Sequence, residues 1–205
     1  MSDFETRFYD LQHRTKNDTL SLKWMNEYAL REISDKRLRY FLMANVLRSE
    51  ASQALHDLLI MNNELKSTRV EPALTEVVER FKNTLAMHNI ELSLTTTVKG
   101  ELQIKSKMLF YLCTVVAELT TMLVFSGNEA EISAQLSIDI DEENDSVIFN
   151  FSSDESPVLP ELTMGFGDHL LNLMLTRQMR GSYEFHIDER FSLQAKLPIQ
   201  HLSLS

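Results

Sequence analysis

Between residues 3 and 33, apolar side chains recur at Phe4, Phe8, Leu11, Leu22, Met25, Ala29 and Ile33, with Thr15 filling one gap. Steps of three and four residues mark one face of a long helix. Ser34 and Asp35 form an N-cap signal, and a second helical stretch follows from 36 to about 66. Two long helices joined by so short a turn predict an antiparallel hairpin. Alone it has too little core, so it is expected to pair with a second copy as a four-helix bundle.

The pattern changes after "NNELKSTRVEP". Pro72 suits the first turn of a third helix, running to about His88. The alternating, β-branched "IELSLTTTV" predicts a strand, and "ELQIK" follows after a Lys-Gly turn. An apolar helix is expected over about 106–125. Two strands, "EISAQLSIDID" and "SVIFNFS", flank the acidic turn "EEND". A helix over about 167–179 and a terminal hairpin, "SYEFHID" with "FSLQAKLP", complete the chain. Hairpin-type connections point to an α+β sandwich and not to a parallel βαβ array. The expected division is 1–67 for the hairpin and 70–205 for the sandwich, with no internal repeat.

Composition narrows the function. A formal net charge of −10 argues against nucleic acid, whose phosphates would be repelled, and leaves a protein or a small molecule as partner. The one cysteine, Cys113, lies in the apolar run "LFYLCTVVAELTTML". That excludes a disulfide framework, fits a reducing compartment and reads as a small buried hydrophobe. "MSDFETRFYD" has no basic region followed by an apolar one, so no secretory signal is expected. Nor is a run of the ~20 apolar residues that cross a bilayer. Together these readings predict a cytoplasmic protein. The six histidines occupy six separate segments, and none pairs with Asp, Glu or Cys at a convincing ligand spacing, so no metal site is expected.

One histidine stands apart. With about 100° per residue, His13 lies nearly opposite the Phe4–Phe8–Leu11–Leu22–Met25 stripe, facing outward. Its neighbours at three and four residues are Tyr9, Asp10, Lys16 and Asn17. Leu20 and Trp24 lie on the same side, two large apolar groups where an isolated helix would carry charge. They suggest a docking surface, unless the helix is simply buried on two sides.

"HRTKND" at 13–18 resembles the H-R-x-K-N-N phosphoacceptor motif in the second class of sensor histidine kinase dimerisation domains. The family places an apolar residue two positions before the histidine, as Leu11 does here. It closes the second helix with a Leu-His-Asp/Glu-Leu-Leu segment, matched by "ALHDLL" at 54–59. The resemblance implies that His13 is phosphorylated and that His56 is a packed family feature. Asp18 departs from the motif's final asparagine. A neutral imidazole nitrogen is available to attack phosphorus near neutral pH. Arg14 and Lys16 could offset phosphate charge, Asn17 could donate a hydrogen bond, and Asp10 could orient the ring. Tyr9, Leu20 and Trp24 would contact the phosphoryl donor.

The remainder is similar to the ATPase domain that follows this hairpin in histidine kinases. "CTVVAELTTMLVFSG" resembles the N-box helix, matching at Glu118, Leu119 and Thr121. The expected Mg²⁺-ligating asparagine is Met122, whose thioether is a poor ligand for a hard cation. In "DESPVLPE", Asp154 matches the adenine-reading aspartate, but Ser156 and Val158 replace the two glycines. "GFGDHLL" keeps Gly165 and Gly167, where backbone could approach phosphate at a helix start, yet Asp168 adds negative charge. Taken alone, this glycine pair is an ordinary loop.

An intact phosphoacceptor beside a degraded ATP site resembles the dimeric, kinase-derived phosphotransferases of bacterial phosphorelays. The resemblance implies response-regulator receiver domains as partners and no cofactor in this chain, with Mg²⁺ on the receiver. The alternatives are a minimal cytoplasmic histidine kinase using ATP, and a non-catalytic scaffold that binds a response regulator.

Overall fold

A computed structural model describes residues 3–62, 67–126, 131–153, 161–186 and 191–202; side chains are described from residue 17 onward, except those of 60–62, 126 and 161–166. Helix α1 spans Asp3–Glu32 and α2 spans Lys36–Asn62. Asp35 forms the cap between them, its Oδ1 accepting the Leu38 N–H at 2.9 Å. From the next turn, Arg39 Nη1 donates to the Leu30 and Ile33 carbonyls at 2.7 and 3.2 Å. One guanidinium thus satisfies carbonyls that the end of α1 leaves without helical partners.

After α2 come β1 (Ser67–Arg69), α3 (Val70–Ala86), β2 (Glu91–Val98), β3 (Gln103–Lys105) and α4 (Ser106–Ser126). Then follow β4 (Glu131–Asp141), β5 (Ser146–Ser153), α5 (Glu161–Asn172), β6 (Ser182–His186), β7 (Phe191–Pro198) and α6 (Ile199–Leu202), with a π-helical turn, Leu173–Gln178, continuing α5. The main sheet has the order β2-β4-β5-β7-β6.

Two strand pairings add to what the sequence predicts. "QIK" does not pair with the strand before it: β3 pairs antiparallel with β1, and Gly100 at φ +80° turns the chain away from the sheet. The pair β2–β4 is parallel, joined across α4, so one βαβ-type crossover sits in a sheet whose other pairings are antiparallel. The turn between β4 and β5 is closed by Asp141, which accepts from the Asn144 backbone N–H (3.2 Å) and side-chain Nδ2 (2.8 Å).

Strand burial alternates, as period 2 requires. Leu94, Leu136, Ile138, Phe149, Phe151, Leu193 and Ala195 face a core completed by Phe81 of α3 and Leu109, Leu112 and Leu119 of α4. On the opposite face, Gln194 Nε2 donates to Asn150 Oδ1 (2.8 Å) and Asn150 Nδ2 to Ser137 Oγ (3.3 Å), a polar row across three strands. Ser106–Phe125 of α4 is, against the expectation, long and apolar enough to cross a membrane; most of it is buried inside the fold.

The hairpin does not stand apart from the sheet domain. Helix α2 buries Tyr40, Met43, Ala44, Val46, Leu47, Glu50, Ala51, Gln53, Ala54 and Leu55 between α1 on one side and α3 and α4 on the other. Much of the core it lacks therefore comes from the same chain. The apolar stripe predicted on α1 is rotated away from α2: Leu22 and Met25 are 59% and 68% exposed, whereas Lys23 is largely covered and Leu30 is buried. On an ideal helix, Lys23 and Leu30 lie roughly 90° around from Leu22.

The candidate phosphotransfer helix and the closed Glu118 site

Tyr9, Asp10, His13, Arg14 and Lys16 belong to α1, but their side chains lie outside the described residues. Asn17 is exposed, and its carbonyl accepts the Ser21 hydroxyl at 2.9 Å. Trp24 is 64% exposed, as its position predicts. Leu20 departs from expectation. It is half-buried because α2 covers the arc of α1 that includes Leu20, Lys23 and Glu27. The exposed companion of Trp24 is Tyr28, one turn on, which the sequence reading missed.

Below this surface, α1 carries a charge into the interior. Lys23 Nζ lies 2.5 Å from Oε1 of the buried Glu50 on α2 and 3.5 Å from Glu27 Oε1. Glu50 also accepts the Thr84 hydroxyl of α3 at 2.9 Å. His56 is half-buried, with Nδ1 3.7 Å from Asp57 Oδ1, and Asp57 pairs with Arg80 of α3 at 3.0 Å. That fits a packed His56.

Glu118, the match to the N-box glutamate, is fully buried. Both carboxylate oxygens are engaged from α2: Tyr40 Oη donates to Oε1 and Arg48 Nη2 to Oε2. Burial and the adjacent carboxylate push the Tyr40 phenol far above its ordinary range. Its ring, 2% exposed, packs edge-to-face on Phe125 at 5.7 Å. Thr121 bonds within its own helix, to the Ala117 carbonyl at 2.7 Å, and Met122 is buried.

The last glycine box differs from its expected form. Helix α5 begins at Glu161, so Gly165 and Gly167 fall inside it and not at a helix start. Gly167 is buried where α5 meets α4 and α2. A Cβ there would lie 2.1 Å from Met122 Cε and 3.1 Å from both Glu118 Oε1 and Tyr40 Oη. Its lack of a side chain admits neighbouring protein. Asp168 is exposed and accepts the Tyr183 hydroxyl at 2.9 Å; burial first, then this bond, push Tyr183 up to about 12. Asp154 lies outside the described residues. Among the described residues, no three or more His, Cys, Asp or Glu side chains are grouped to hold a metal ion.

Tyr40 and Arg48, the partners of Glu118, were not singled out from the sequence. A signal existed: the apolar residues of α2 are spread around the helix and not gathered on one face. A helix whose apolar residues are not confined to one face packs on more than one side.

No protein-family model matches the chain, and no curated protein matches it by sequence. Solved structures do match. The histidine kinase domain of the Erythrobacter litoralis EL346 blue-light activated histidine kinase superposes with a TM-score of 0.61 at 10% identity, over 88% of this chain and 96% of that one. The longer EL346 kinase structure gives 0.59 at 12% identity, over 97% of this chain and 61% of that protein's length. The chain has the histidine kinase domain fold: a helical hairpin followed by an α/β sandwich.

Proposed function

We propose that the protein acts in two-component signalling as a histidine phosphotransferase, carrying a phosphoryl group between receiver-domain aspartates through His13. The observation that carries this reading is the Glu118 cluster. The carboxylate that belongs to the ATP-site helix in kinases is engaged here by Tyr40 and Arg48 of α2, with Met122 in place of a metal ligand. The family motif meanwhile keeps its histidine on α1. On this reading, a chain with a phosphoacceptor and a degraded ATP site takes its phosphate from another protein.

In the proposed step a neutral His13 ring nitrogen attacks the phosphorus of a receiver's aspartyl phosphate. The N–P bond forms as the P–O bond to the aspartate breaks, and the carboxylate leaves. A second receiver reverses the step. Mg²⁺ on the receiver supplies charge stabilisation, and this chain supplies position. Asp10, Arg14, Lys16 and Asn17 flank the acceptor, and Tyr9 and Trp24 lie on the side offered to the receiver. Glu118, Met122, Asp154, Gly165 and Gly167 are what remains of a nucleotide site. The protein works as a cytoplasmic homodimer with no nucleic-acid or membrane partner, and exposed Leu22 and Met25 offer a face for the second copy.

The test is phosphorylation of wild type and His13→Ala by a phosphorylated receiver and, separately, by γ-labelled ATP. Label from the receiver alone, lost with His13, is the expected result. Label taken directly from ATP would make the protein a kinase; label from neither would leave a scaffold.

A further inference from the structure

We infer that Tyr40 and Arg48 of α2 form a clamp on Glu118 that locks the hairpin to the sheet domain, so that α2 and α4 open together and not as parts of two hinged units. The inference stands whether or not His13 carries phosphate. A hinged hairpin would leave its boundary with the next domain wet and sparsely bonded. The opposite is found. Glu118 has 0% exposure, and each of its oxygens has a donor on α2, 78 and 70 residues away in sequence.

Two further ties follow along the same helix. Glu50 accepts from Thr84 and Asp57 pairs with Arg80, both donors on α3. Three successive levels of α2 are thus bonded to the second domain. At the first level the absence of a Cβ at Gly167 brings α5 against the same cluster. Arg48 is one-fifth exposed while its partner is wholly buried, so the guanidinium closes the cluster at its rim. Parting the helices would leave this buried carboxylate without its donors, which makes separation of α2 from α4 costly at this point.

The test is native-state hydrogen exchange of the full chain, read by mass spectrometry for wild type, Arg48→Ala and Glu118→Gln. The Gln variant removes the buried charge and guards against Arg48→Ala failing to fold. The expected result is acceleration, by about tenfold or more, shared by peptides from 36–59 and 110–125, with 131–153 unchanged. Acceleration confined to α2, or none in either region, would mean that the helices open independently and the clamp does not exist. Equal acceleration throughout the chain would also overturn the inference, since the cluster would then be ordinary core.

Discussion

Replacing Lys23 by Met tests whether the charge carried inward by α1 is structural. Met keeps most of the aliphatic stem, so the change removes the ammonium more than the packing. Glu50, only 6% exposed, would then keep the Thr84 hydroxyl as its one remaining partner among those described above. At an effective dielectric constant of about 20, charges 2.5 Å apart attract by roughly 7 kcal/mol before desolvation is subtracted. Removing one partner of a buried pair leaves a net loss of about 3–5 kcal/mol. With a urea slope of roughly 2–3 kcal/mol/M, the unfolding midpoint should fall by about 1–2.5 M. Glu50→Gln preserves an acceptor for Thr84 and removes the charge, so the double variant should recover most of that loss. Single losses under about 1 kcal/mol that simply add in the double variant would refute the reasoning and class the pair with surface ion pairs.

Three other outcomes follow from single groups. His88 has a lowered pKa through burial, opposed by Glu27 and reinforced by Arg39 and Arg31. The unfolded chain therefore binds more protons just below the ordinary imidazole value of 6.5: stability is complete above that pH and is lost as pH falls through the folded value. His88→Gln should flatten the fall in Tm between about pH 7 and 5. The Tyr183 phenol, pushed up to about 12, should titrate closer to 10.0 in Asp168→Asn, read by ultraviolet difference absorption. Cys113 is wholly buried and its thiol is pushed up by desolvation, so a thiol reagent should label it only at the rate of unfolding.

What the sequence made legible was whatever depends on near neighbours. The bounds of α1, the Asp35 cap, the β4–β5 and β6–β7 hairpins and the apolar α4 follow from period and turn chemistry. What it hid depends on residues far apart. Three-residue β1 has no periodicity to read, and its pairing with β3 is set by where α3 and α4 lie. Helix α5 begins at Glu161 although Gly165 and Gly167 are poor helix formers, because Gly167 serves a close approach to Met122 and Glu118. The α1 stripe pointed toward the wrong neighbour, since a polar residue, Lys23, occupies the covered face through its tie to Glu50. For the candidate site, the H-R-T-K-N-D resemblance singles out His13 from local sequence alone. Tyr40 and Arg48 become meaningful only once α2 lies against α4.

Under the proposed function, the rotation of α1 puts dimerisation and receiver docking on two faces, and this can be measured. Leu22 and Met25, three residues apart, share one exposed face; Trp24 lies about 200° around from Leu22, with Tyr28 beside it. Full burial of such an aliphatic side chain stabilises by about 1.5–3 kcal/mol, and about 60% of that remains to be gained here. Over two residues in each of two copies the gain is roughly 4–8 kcal/mol, comparable to the lower estimates of the cost of association. Glutamates at both positions remove the gain and set like charges across the interface. Sedimentation velocity should therefore find wild type dimeric and Leu22→Glu/Met25→Glu monomeric, with helical circular dichroism unchanged. Trp24 is the one tryptophan, and acrylamide should quench it equally in both states. A dimer that survives the double substitution would place the interface elsewhere, and a Trp24 shielded in wild type alone would put dimerisation and receiver docking on the same face.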